Sequence, residues 1–323
     1  MHLHLLLLLI PAATTAVLSR RDDEINLPAI QPPFSEEIQD RHFRSVLSYR
    51  QSQYRPWSPA WIPQKCLEEA KYNNLDPSAF SVRDVWYSDC LAAWTICRHN
   101  DASESWDSII NTLSQVPVGM RQFIANLVIL PSSVPSSPSA VAYTRGSVLV
   151  FTPSFFKLGV LFHEITHILD TTAPSLQRAI VERGYAEGTP FSRTALWTWA
   201  VANDTAVPTP YARSTLQEAF ADAGRWAMSD MVSKDGLEAF STGWEGCRHQ
   251  IRAYERWLGD VVFTRGGVCT GKVDSSVPVR MPGRDGAAGK PGSTLDGTGL
   301  EEIVLGEGVE ELLFVYPGEV PNW

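Results

Sequence analysis

The chain is poor in several things, and each shortage excludes a class of function. Its 27 Lys and Arg fall short of its 36 Asp and Glu, for a formal net charge of −9. Without a basic excess it is not read as a nucleic-acid binder, which needs clustered Lys and Arg for the phosphates. Five cysteines with no CxxC pair disfavour a four-cysteine zinc site. Past the first eighteen residues no apolar run approaches the roughly 18–20 residues of a membrane helix. Histidine is scarce as well, with 7 in 323 residues. What the chain does have is apolar and aromatic mass: 44% hydrophobic residues, with 11 Trp, 13 Phe and 9 Tyr. That is ample for a packed core, and it excludes disorder throughout and a miniprotein held by disulfides alone.

His2 to Leu18 is an apolar stretch broken by Pro11 and followed by the small residues Ala12, Ala13, Thr14, Thr15 and Ala16. It reads as a secretory signal over 1–19, cut near Ala16 or Ser19, with Arg20-Arg21 as a dibasic processing site. The mature protein is expected outside the cell or in the cell wall, with no membrane association once the signal is gone. An odd cysteine count leaves one thiol free or paired with another chain. The spacing suggests one bridge among Cys66, Cys90 and Cys97, and Cys247–Cys269 as the other. Asn203-Asp-Thr205 is a glycosylation sequon.

Residues 20–60 are polar with scattered prolines and read as a propeptide-like or wrapping segment. Periodicity predicts helices over 64–72, 103–113, 117–130, 154–170, 175–184, 213–231 and 244–257, a strand over 81–87, and a hairpin joining 140–143 to 148–151. Residues 270–323 begin with a stretch rich in Gly, Pro, Ser and Asp and read as a linker and tail.

The strongest motif is His163-Glu164-Ile165-Thr166-His167. Histidines at i and i+4 share one helical face, so both imidazoles can reach one Zn2+ ion, while Glu164 stands beside them as a general base. The run is set in apolar sequence, where unpaired His and Glu would each cost several kcal/mol (about 2–7). Zinc needs a third protein ligand. Glu182, Glu187 and Glu218 are the nearest candidates, and only one histidine, His249, lies downstream. Glu218 is preferred because Asp222 follows at i+4 and can hold an imidazole N–H. Tyr211, seven residues before Glu218, is a candidate donor to a reaction oxyanion.

His163 to Asp170 (HEITHILD) with Tyr211 to Arg225 (YARSTLQEAFADAGR) resembles the catalytic domain of the lethal-factor-like zinc metalloproteases. The resemblance implies an α+β zincin-like domain over 61–269, with a small mixed sheet, an active-site HExxH helix and a mainly helical C-terminal lobe. It also implies a gluzincin-type ligand set of His163, His167 and Glu218. Glu164 would be the general base, Tyr211 the oxyanion donor, Asp222 a support behind the ligands and Asp170 a structural acid. The implied activity is a secreted zinc endopeptidase that hydrolyses peptide or protein substrates through a zinc-activated water. Val148 to Phe151 would be the edge strand that pairs with substrate. A second resemblance covers Cys66 to Asp101, through Tyr87-Ser-Asp-Cys90 and Trp94-Thr-Ile-Cys97-Arg-His99. It is to the fungal conidiation-specific secreted proteins, and it implies the competing class: a non-catalytic spore- or wall-associated protein on the same scaffold.

Overall fold

A computed structural model describes residues 24–134, 142–152 and 156–282. The leader, Arg20-Arg21 and the tail beyond 282 lie outside the described residues. In chain order the elements begin with α1 (Glu36–Val46), β1 (Ser52–Pro56), β2 (Trp61–Pro63), α2 (Gln64–Tyr72), β3 (Phe80–Tyr87) and β4 (Cys90–His99). Next come α3 (Trp106–Ser114), α4 (Val118–Arg121), β5 (Asn126–Ile129), β6 (Ala142–Arg145) and β7 (Val148–Phe151). The helical lobe follows with α5 (Leu158–Thr172), α6 (Pro174–Glu182), α7 (Ala195–Ala202), α8 (Leu216–Val232) and α9 (Arg248–Val262), and β8 (Pro278–Arg280) comes last. The class is α+β. No described helix is long and apolar enough to cross a membrane.

The main sheet has six strands in the order β1-β3-β4-β5-β7-β6. β5 runs parallel to both β4 and β7, and the other pairings are antiparallel. All four residues of β5 and of β7 are buried, as expected of strands covered on both faces. Leu127 and Ile129 face the large core shared with the helical lobe, whereas Val128 and Leu130 face a smaller core under α2. This explains one departure from the periodicity reading. Residues 117–130 are not one helix: only Val118–Arg121 is helical, and a short apolar run such as NLVIL is equally at home in a buried strand.

The hairpin forms, but β6 takes the flank of β7 over Ala142↔Phe151 to Arg145↔Val148. Val148–Phe151 is therefore an interior strand, and β6 is the edge. Residues 24–60 are built into the fold. Ile25 N–H donates to the Arg213 carbonyl, Ile30 N–H donates to that of Val207, and Phe34 stacks on Trp226 with centroids 3.7 Å apart.

The cysteine pairing differs from the one spacing suggests. Cys66 joins Cys97 and Cys90 joins Cys269, while Cys247 is free and buried. β4 places Cys97 in the small core against α2, with a Cα–Cα distance of 6.4 Å to Cys66. Cys247 precedes α9 in the large core and never meets Cys269. Residues 270–282, read as the start of a linker, instead form a strap. Val273 N–H donates to the Gln122 carbonyl, Ser276 N–H donates to Asn126 Oδ1, and β8 pairs with β2.

Candidate metal centre

Eleven of the fifteen residues of α5 are buried, His163, Glu164, Thr166 and Asp170 among them. Such a helix lies in a core rather than on one, so its polar side chains must find partners inside. α8 supplies them. Thr215 caps α8 by accepting the Glu218 backbone N–H at 3.1 Å, which sets the Glu218 side chain on the first helical turn. The two helices meet closely at Gly224, where a Cβ would stand 2.5 Å from both Thr166 Oγ1 and Tyr254 Cε2. Only a residue without a side chain allows this approach.

The result is a convergence of three ligand atoms. His163 Nε2 lies 3.1 Å from Glu218 Oε2, His167 Nε2 lies 3.3 Å from that oxygen, and the two imidazole nitrogens are 3.2 Å apart. A tetrahedral ion with ligand bonds of roughly 2.0–2.1 Å separates its donors by about 3.3 Å, so the spacing and the His-His-Glu chemistry fit zinc. Glu182 and Glu187 are exposed and take no part in the cluster.

Behind the cluster, His163 Nδ1 lies 2.9 Å from Asp222 Oδ1. A carboxylate can only accept, so Nδ1 carries a proton, and Nε2 is the nitrogen that would present its lone pair to a cation. Asp222 also accepts from the Thr209 hydroxyl, and Arg225 Nη1 stands 3.9 Å from it. Arg225 is held in turn by Gln39, which accepts from its Nε at 2.9 Å, and by Glu36 at 3.2 Å. Arg225 has a sequence signal, its i+3 spacing from Asp222. Thr209 and Gln39 have none, because their contacts are tertiary.

Electrostatics follow from burial and these contacts. In the metal-free cluster burial pulls the His163 imidazole down, but hydrogen bonds to Asp222 and Glu218 outweigh it and carry the pKa up to about 10. Burial raises Glu218, and its bonds to His163 and His167 overcome that and hold it below the usual carboxylate range. Asp222 is lowered in the same manner, chiefly by His163 acting against burial. Glu164 moves the other way: it is buried, and desolvation pushes it up against the opposing charges of the two histidines.

Tyr211, 49% exposed, has its ring 5.9 Å from that of His163. Partial burial, then the Glu218 and Glu164 carboxylates, push its pKa up, so the phenol stays protonated. Asp170 lies outside the cluster. It accepts from the backbone and hydroxyl of Ser192 at 2.8 and 2.7 Å, pinning the turn at 191–193 to α5. Asn203 is exposed at the end of α7, and its amide donates to the Trp199 carbonyl.

Residues 42–235, well over half of the chain and including every member of this site except Gln39 and Glu36, match the family described as conidiation-specific protein Con-13. A curated relative, "Conidiation-specific protein 13" of Neurospora crassa, is 28% identical over 181 residues, which are 54% of this chain and 47% of that protein. The match thus spans about half the length of the relative. No solved structure matches.

Proposed function

This chain belongs to the conidiation-specific protein Con-13 family, and from that premise and the His163–His167–Glu218 cluster we propose a secreted, conidiation-associated protein built around one zinc ion. The observation that carries the proposal is the spacing of the three ligand atoms, each within 4.8 Å of the others, with Asp222 fixing the His163 tautomer. Two disulfides support passage through an oxidising compartment.

The chemistry this geometry supports best is hydrolysis of a peptide bond. Zinc held by the three side chains would polarise the attacking water and the substrate carbonyl. Glu164, dry and biased toward accepting a proton, serves as the general base and then passes that proton to the leaving amine. Tyr211, kept as a phenol, donates to the oxyanion as the carbonyl becomes tetrahedral. Asp222 holds the His163 ring through both stages.

A second reading is a non-catalytic spore- or wall-associated protein on the same scaffold. The family and relative names favour it, since they denote conidiation and no reaction. One experiment separates the two: zinc content and casein cleavage of the mature protein beside Glu164→Gln. Stoichiometric zinc in both forms, with cleavage only by the parent, supports the hydrolase. Zinc without cleavage leaves the non-catalytic reading, and absence of zinc from both forms defeats the metal assignment itself.

A further inference from the structure

A cavity of about 290 Å³ opens where the chain leaves β1 and turns across the edge of β3 toward β2. None of its lining residues belongs to the His163 cluster. Three indoles line it, from Trp57, Trp61 and Trp106, and each is only part-buried. Part-burial leaves some of each ring's surface within reach of a ligand. Arg280 from the strap lies over the Trp61 ring at 4.6 Å and steadies it.

Arg83 is the one cation among the lining residues. Its guanidinium carbon lies 4.2 Å from the Tyr54 ring centre and 4.3 Å from that of Trp106. Rings over its faces leave the planar N–H fork as its free edge, and that fork matches a carboxylate. Among the described residues no carboxylate or carbonyl accepts from it, whereas Arg121, Arg145 and Arg225 each face an acid. No Asp or Glu lines the cavity, although the chain as a whole carries −9. Beside Arg83, the Ser81 hydroxyl donates to Asn100 Oδ1 at 2.6 Å, which turns the Asn100 amide so that Nδ2 remains a donor.

Flat aromatic walls, small polar groups and one guanidinium whose N–H edge meets no acceptor among the described residues make a specific demand on a ligand. It must offer an apolar face to stack, hydroxyls to accept and a single negative charge. The volume falls just short of the roughly 300 Å³ at which small-ligand sites begin, which suits a ligand of one ring. We propose that this cavity binds one acidic saccharide unit, a pyranose carrying a carboxylate, with its ring against the indoles and its carboxylate on Arg83.

The test uses two ligands that differ only in that carboxylate, methyl β-glucuronide and methyl β-glucoside. Each is titrated into the full chain and followed by tryptophan fluorescence and by saturation-transfer NMR. The glucuronide is expected to bind saturably and about tenfold or more tighter than the glucoside, the usual gain from a charge-assisted hydrogen-bonded pair. Arg83→Gln should bring the two ligands to parity, Trp106→Ala should weaken both, and Glu164→Gln should change neither. Should Arg83→Gln fail to fold, Arg83→Met supplies the same comparison, since it keeps an aliphatic stem between the rings and lacks the charge. Equal binding of the two glycosides by the parent overturns the assignment. So does the absence of saturable binding, or an unchanged preference in a folded Arg83 variant.

Discussion

Asp222→Asn changes one buried oxygen to an amide and leaves the shape of the site almost intact. In the parent, His163 Nδ1–H donates to an ionised carboxylate at 2.9 Å. After the change it donates at best to a neutral amide oxygen, and Arg225 loses the carboxylate 3.9 Å away. Hydrogen bonds to charged groups contribute about 1.5–3 kcal/mol against roughly 0.5–1.5 for neutral ones. The difference is about 1–1.5 kcal/mol, or about tenfold in binding. That agrees with the lower end of the 10–100-fold loss (approximately) seen when such partners of metal-binding histidines are altered. A second effect opposes it. His163 titrates near 10 in the metal-free cluster and must shed a proton to bind a cation. Parent affinity should therefore climb with pH across the neutral range. Without the Asp222 charge, burial pulls the imidazole down, and the variant's pH dependence flattens. Competition with a chromophoric zinc chelator at pH 7 and pH 8.5 reads both effects. The ratio of parent to variant affinity should rise from pH 7 to pH 8.5, and the metal-free thermal transition of the variant should fall at pH 7, because Asp222 helps hold the buried imidazolium. Equal affinities and equal pH slopes would refute the argued role of Asp222.

Three further outcomes follow from the packing. Gly224→Ala gains about 1 kcal/mol of helix propensity but drives a methyl to 2.5 Å from Thr166 and Tyr254, an overpacking cost of about 1–3 kcal/mol, so a lowered thermal midpoint is expected and a raised one would show that the helices separate freely. Burial pulls the Lys272 ammonium down to about 8 from 10.5, against Asp274 and Asp84. The unfolded chain then binds more protons between those values, so parent stability in urea should rise from pH 8 toward pH 10, and Lys272→Met should abolish the rise. Removing both cysteines of the Cys90–Cys269 bridge frees a loop of sequence separation 179, worth about 5 kcal/mol by chain entropy, against about 4 for Cys66–Cys97 at separation 31. Urea midpoints of the two double variants should follow that order, and the reverse order would remove the strap from the list of stabilising elements.

Some of the site is written in short-range spacing. His163 and His167 share a helical face because four residues make about one turn, and Glu218 and Asp222 do so for the same reason. Reading each pair needed only the knowledge that its segment is helical, and apolar periodicity supplied that. Thr215, which caps α8, falls inside the helix predicted over 213–231, because apolar periodicity does not mark where a helix begins. The remainder was decided by partners far apart in the chain. Gln39 reaches Arg225 across 186 residues, and Cys90 finds Cys269 across 179. β6 displaces β7 from the sheet edge, and residues 126–129 become a strand because both of their faces are covered. No local pattern encodes which distant surface will cover a given residue; that choice belongs to the packing of the whole core. The cavity at Arg83 shows it most plainly, since its walls come from three separate stretches of chain that only the folded sheet brings together.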